Sequence, residues 1–151
     1  MLLRLSDDES AIDEVFGAFF AKECATGRVR AAAPLGFDPE AWSRLAETGA
    51  PGMALSEGAG GGGADLAAAA VVAAQLGRHI APLPPSEHLA AARLLQRKAP
   101  DHARPPEVVS GDQIITIAHN GEHLVPACSL AHHALHASCD EVALTESDPP
   151  G

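Results

Sequence analysis

Apolar residues near the start of the chain recur at helical spacing. Ile12, Val15, Phe16, Phe19 and Phe20 fall on one face of a helix that opens at Ser6, where Ser6 and Glu9 have the spacing of a capping box. Thr26-Gly27 is expected to close it, because glycine readily takes the left-handed cap conformation. Asp38-Pro39-Glu40 opens a second helix: a capping Asp, a Pro at the first helical position, then an acid in the first turn. Trp42 and Leu45 give that helix an apolar side, and Gly49 ends it. A short apolar link, Pro51 to Leu55, leads into Ser56-Glu57-Gly58, then Ala59 and four consecutive glycines. Asp65 to about His79 reads as a third, Ala-rich helix with Leu66, Val72 and Leu76 as its larger contacts, stopped by Pro82, Pro84 and Pro85. A fourth runs from Ser86 to about Lys98, with Leu89, Leu94 and Leu95 as its apolar residues.

The pattern changes after Lys98. Residues 99–107 hold three prolines and read as a linker. Beyond them come short β-prone runs at Val108-Val109, Ile114 to Ala118 and Glu141 to Thr145, with turn signals at Gly111-Asp112 and Asn120-Gly121. The predicted fold is therefore mainly α: a helical domain over 1–98, a linker over 99–107, and an incomplete β domain over 108–151 that ends in a frayed Asp148-Pro149-Pro150-Gly151.

Composition alters this picture in two ways. Hydrophobic residues make up 46%, but they are dominated by Ala, with four Phe, one Trp and no Tyr, so the core is expected to be thin and helical. Gly and Pro number 14 and 12, so the helices should be short and often interrupted. The net charge of -10, from ten Lys and Arg against twenty acids, opposes nucleic-acid binding by phosphate neutralisation and docking on anionic membranes. No stretch reaches the roughly 20 apolar residues that span a bilayer. The N-terminus runs from Met-Leu-Leu-Arg straight into acidic residues, so no secretion signal is expected. Cys24, Cys128 and Cys139 form no CxxC, which fits reduced thiols in a cytoplasm.

The segment Trp42 to Leu95 carries an ordered series of motifs. Trp-Ser-Arg-Leu-Ala-Glu-Thr-Gly-Ala-Pro-Gly-Met-Ala-Leu-Ser-Glu is followed by a glycine-rich turn, and then by Val-Val-Ala-Ala-Gln-Leu-Gly-Arg-His-Ile-Ala-Pro-Leu-Pro. The series resembles the N-terminal helical domain of acyl-CoA dehydrogenases, which shows Leu-Ala-Glu-x-Gly, a Pro-Glu-x-x-Gly-Gly turn and a helix ending in Glu-Leu-Gly-Arg. Ser56 stands here where that Pro would be, and Gln75 where that Glu would be. The resemblance covers Ser6 to Leu95 well. More loosely, Ser110-Gly111-Asp112, Leu124-Val125-Pro126 and Asp140 to Leu144 look like the opening strands of the family's middle β domain. The style is closest to members acting on bulky or branched acyl-CoA substrates.

The resemblance implies a flavoprotein that removes hydrogens across the α,β bond of an acyl-CoA: a glutamate takes the α-proton while the β-hydride passes to FAD. It also implies an oligomer, homomeric or heteromeric, since FAD lies between the last two domains and a neighbouring subunit. The family's usual base and main FAD motifs belong to a C-terminal bundle, so no catalytic residue is assigned here and the chain is expected to be truncated and inactive alone. The family's middle domain often contributes an Ala-Leu-Thr-Glu-Pro segment whose backbone touches the flavin. By position it matches Thr116-Ile117-Ala118-His119, which makes Thr116 and Ala118 the candidate cofactor-binding residues; Ala143-Leu144-Thr145-Glu146 fits by letters but falls too late.

The run Gly58 to Gly63 invites a phosphate cradle, but a Walker loop needs Gly-Lys-Ser/Thr where Asp65 stands, so a flexible helix connection is expected. Cys128, His132, His133, His136 and Cys139 could ligate zinc, with His132 and His136 sharing a helical face, yet the paired spacing of a zinc finger is missing and no metal site is assigned. A Cys128 or Cys139 nucleophile with His133 as base lacks an orienting third group. Glu57 reads as a solvated turn residue, and the Phe16, Phe19, Phe20 stripe as packing. The alternative to a dehydrogenase subunit is a non-catalytic helical module that completes a partner chain, because an Ala-rich core and an unfinished sheet leave apolar surface to cover.

Overall fold

A computed structural model describes residues 4–99, 106–119, 125, 127–137 and 142–147. The chain is mainly α. It contains helices α1 (Asp7–Glu23), α2 (Thr26–Ala32), α3 (Pro39–Glu47), α4 (Leu66–Arg78), α5 (Pro85–Lys98) and α6 (Pro106–Ser110), then strands β1 (Ile115–His119), β2 (His133–Ala137) and β3 (Val142–Glu146). By contact these gather into two compact units, one of Met1–Trp42 with Ala64–Leu83, the other of Ser43–Gly63 with Pro84–Gly151.

In the first unit the capping box at Ser6 forms: Glu9 N–H donates to Ser6 Oγ at 3.2 Å, and Ser6 N–H donates to Glu9 Oε2 at 2.7 Å. The apolar stripe that follows brings α1 onto α4. Phe20 is fully buried, edge-on to Phe19 at 5.3 Å and stacked on His79 at 6.3 Å between ring centroids. Gly17 leaves room for the buried Gln75 of α4, whose amide donates to the Asp13 carboxylate. Two sequence expectations are corrected: Val15 is 63% exposed and Leu66 is 63% exposed, so neither is a core contact.

The end of α1 is corrected too. Cys24 N–H donates to Phe20 O, and the backbone then turns extended at Ala25, whose carbonyl accepts from Arg28 and Val29 N–H. Thr26-Gly27 therefore opens α2 instead of closing α1. The expected cap does form at α3, where Asp38 Oδ1 accepts from Ala41 N–H at 3.0 Å. Asp38 also takes a bidentate pair from Arg28, Nε at 2.9 Å and Nη2 at 2.8 Å. That hydrogen bond from Arg28 holds the Asp38 carboxyl below its ordinary range. A lowered carboxyl contributes stability that is present above its unfolded pKa and is lost as pH falls through the folded one, here below about pH 4. Asp38→Ala is expected to lose the cap, about 1 kcal/mol, seen as a lower urea midpoint at neutral pH that converges on wild type in acid. Gly49 ends α3 in the left-handed region (φ 77°), as expected.

In the second unit, α5 packs on β1. Ala91, Ala92 and Leu95 of α5 are buried with Leu55, Val108, Ile115 and Leu135, and Ile117, Val142 and Leu144 pack around them. β1 pairs parallel with β2 (Ile117 beside Leu135) and β2 antiparallel with β3 (Leu135 beside Leu144), in the order β1-β2-β3. Val108-Val109 is helical, correcting the β expectation: Pro106 and Glu107 start α6, and that helix puts Val108 into the core. The Asn120-Gly121 turn, Leu124 and Pro126, Cys139, Asp140-Glu141, 100–105 of the linker and the terminal 148–151 lie outside the described residues.

Candidate functional site

β1 carries the two candidate cofactor residues. Thr116 and Ala118 lie on the face of β1 opposite Ile115 and Ile117, and are 1% and 6% exposed. Their side chains are thus enclosed, and any ligand contact at these positions falls to the backbone. Among the described strands β1 borders only β2.

The glycine-rich loop is a tight knot, not a flexible connection. Gly60 N–H donates to Glu57 O, Gly61 to Ser56 O, Gly62 to Gly52 O and Gly63 to Leu55 O, at 2.8 to 3.1 Å. Backbone donors spent on carbonyls cannot cradle a phosphate, which gives the physical reason that reading fails. Two side chains of α5 pin the strand of chain leading in. Arg93 Nη1 donates to Ala54 O at 2.8 Å, and the Gln96 amide brackets Ser56, donating to its hydroxyl and accepting from its N–H. Beside the loop runs an open groove of about 740 Å³ lined by Met53, Gly60, Gly61, Val109 and other small uncharged residues.

Residues 6–101 match the family model described as acyl-CoA dehydrogenase, N-terminal domain. The chain belongs to the acyl-CoA dehydrogenase family. It is 37% identical over 83 residues to acyl-CoA dehydrogenase IpdE2 of Mycolicibacterium smegmatis, covering 53% of this chain and 27% of that protein. Against acyl-CoA dehydrogenase IpdE2 of Mycobacterium tuberculosis it is 31% identical over 123 residues, 79% of this chain and 39% of that one. The chain thus spans well under half of the curated relatives it matches. Among solved structures it is similar to the Tcur3481-Tcur3483 steroid ACAD variant (TM-score 0.77, 25% identity, 94% of this chain and 48% of that chain). The ChsE4-ChsE5 complex from Mycobacterium tuberculosis shares the fold, with TM-score 0.79 at 22% identity over 97% of this chain and 49% of that one.

Within this acyl-CoA dehydrogenase chain the histidine readings change. His132 precedes β2 and His136 lies within it, so the helical face they were expected to share does not exist. Along a strand they stand roughly 13 Å apart. No group of three or more His, Cys, Asp or Glu placed to hold a metal ion occurs among the described residues. His133 Nε2 pairs with Gln113 Oε1 at 2.7 Å and its buried Nδ1 has no partner, so neither ring nitrogen activates the exposed Cys128. Burial, then the charge of Asp38, pushes the Cys24 thiol up, away from thiolate chemistry. Glu57 is exposed, as a solvated turn residue should be.

One polar residue of consequence was missed. His88 is fully buried; its Nε2 bonds Val108 O at 2.9 Å, and its Nδ1 accepts from Ile115 N–H at 3.2 Å. Burial lowers its pKa to about 4. The signal was available: His88 falls three, four and seven residues before Ala91, Ala92 and Leu95, on the buried face of α5.

Proposed function

We propose that this chain supplies the N-terminal helices and the first strands of the middle domain to an FAD-dependent enzyme that dehydrogenates an acyl-CoA between its α and β carbons. The observation that carries the reading is the family match over 6–101, continued into β1–β3 by the superposition of 94% of the chain on 48% of a steroid ACAD. That neighbour's name favours a bulky acyl group. We keep the division into a helical domain (1–98), a linker (99–107) and a partial β domain (108–151), a cytoplasmic location and an oligomeric state as parts of this proposal. No helix among the described residues is long and apolar enough to cross a membrane.

Among the described residues, β1 could offer a flavin its backbone but not the side chains of Thr116 and Ala118. The loop N–H groups are spent, and the side chains of Thr116 and Ala118 are enclosed. The family resemblance assigns the base and the main flavin contacts to a C-terminal bundle. A second reading, a non-catalytic module completing a partner subunit, is favoured by the names of both structural neighbours, each of which joins two components.

Mixing the purified chain with FAD and recording its spectrum after gel filtration tests the proposal. A folded chain that elutes without flavin, and acquires it only when expressed with the rest of an acyl-CoA dehydrogenase, is the expected result. Stoichiometric flavin on the chain alone would overturn the assignment of the main contacts to other sequence. No flavin in any combination would favour the partner module.

A further inference from the structure

Three imidazoles converge on three consecutive residues at the start of β1. His133 Nε2 meets Gln113 Oε1 at 2.7 Å, Ile114 N–H donates to His132 Nδ1 at 3.1 Å, and Ile115 N–H donates to His88 Nδ1 at 3.2 Å. The backbone closes the same knot from the other side. His132 and His133 N–H both donate to Ile114 O, and Ser147 N–H donates to His132 O, so the entries of β1 and β2 and the exit of β3 meet at this point. Two of the three rings act as hydrogen-bond acceptors, which an imidazole does only while that nitrogen is unprotonated.

We propose that these histidines form an acid-sensitive latch that fastens the beginning of β1 at Ile114 and Ile115. Protonating His132 places an N–H against the Ile114 N–H, and protonating His88 does the same at Ile115. The two rings differ in burial. His88 is fully enclosed, whereas His132 is partly open to water. Burial, then the neighbouring His133, lowers the His132 pKa below its ordinary value, and burial takes His88 to about 4. Both shifts favour the neutral ring in the folded chain. Their stabilisation is present above the unfolded pKa of about 6.5 and is lost as pH falls through each folded value. The charged or titratable groups on the surrounding elements, among the described residues, are Glu87, Arg93, Arg97 and Lys98 on α5, Glu107 in α6 and Asp112 after it, His136 on β2, and Glu146 on β3, which the register sets beside His133. None of these is among the causes that shift His132 or His88. Thr116 and Ala118 follow directly on the latch, so its opening loosens whatever β1 holds, and the latch itself does not depend on flavin binding.

Residue-resolved amide hydrogen exchange on the full chain between about pH 7.5 and about pH 5, corrected for intrinsic rates, tests this. The Ile114 amide is expected to lose protection progressively over that range. The Ile115 amide should lose protection over the same range, because the opened His88 ring takes up a proton below about pH 6.5, and Val72 in the other unit should not change. His132→Asn keeps an acceptor near the Nδ1 position without titrating, so its Ile114 protection should be flat with pH. Unchanged Ile114 protection in wild type, a simultaneous loss at Ile114, Ile115 and Val72, or a His132→Asn profile that tracks wild type overturns the latch. If His132→Asn does not fold, the wild-type profiles decide on their own.

Discussion

His88→Leu is expected to destabilise the unit built on α5 and the sheet by about 3 kcal/mol at neutral pH, lowering Tm by about 10 °C. The ring fills a fully buried position, and its two nitrogens serve two buried backbone groups on different elements, Val108 O on α6 and Ile115 N–H on β1. Leucine restores the apolar volume and neither hydrogen bond. Each unserved group costs roughly 1–3 kcal/mol, because water cannot reach it. His88→Gln should recover part of the loss, since its amide can donate towards Val108 O while Ile115 N–H stays unpaired. The defect has a pH signature. Wild-type His88 is neutral down to about 4, so between the unfolded pKa of about 6.5 and that value the unfolded chain binds the extra proton and wild type loses stability as pH falls. Leucine does not titrate, so the gap between wild type and His88→Leu should narrow steadily in that window. Urea midpoints at about pH 7.5 and about pH 4.5 measure it; a gap constant with pH would mean that His88 is not held neutral by its burial.

The helical half of this fold was readable because its signals are local. Capping residues at Ser6, Asp38 and Asp65, left-handed closure at Gly49 and prolines after α4 each act within one turn, so α1, α3, α4 and α5 begin or end where the sequence places them to within a few residues. α2 escaped because nothing caps it: its N-terminal residue Ala25 offers no side-chain acceptor. α6 escaped because two adjacent valines suggest strand by propensity, while burial of Val108 against α5 and β1 decides the matter by packing. The family was legible from ordered motifs across Trp42 to Leu95. At Thr116 and Ala118 the sequence indicates a strand, but not that both side chains are covered. The histidines show the same divide. Their crowding suggested ligands, yet each ring is defined by the backbone group it meets across the fold, a long-range relation that spacing along the chain does not encode.

The four glycines after Ala59 carry the sharpest test of what that loop is. A flexible connection tolerates alanine anywhere along it, whereas a packed knot tolerates it only where space exists. A Cβ on Gly61 would stand 2.5 Å from Leu55 Cβ, 2.6 Å from Leu55 O and 2.7 Å from Gly52 O, all backbone or core atoms that cannot swing aside. Relieving those contacts means pushing the loop off the buried Leu55 and stretching the bonds from Gly61 N–H to Ser56 O and from Gly62 N–H to Gly52 O. Gly61→Ala is therefore expected to cost about 3 kcal/mol or more, the upper range for overpacking. Three residues earlier, a Cβ on Gly58 meets nothing within 4 Å. Gly58→Ala should accordingly stay within about 0.5 kcal/mol of wild type, as surface substitutions away from such features do. Chemical denaturation of the two variants side by side reads the difference directly. Equal midpoints would restore the flexible connection, and a large loss at Gly61 alone would fix the loop as the packed wall of the groove beside Met53 and Val109.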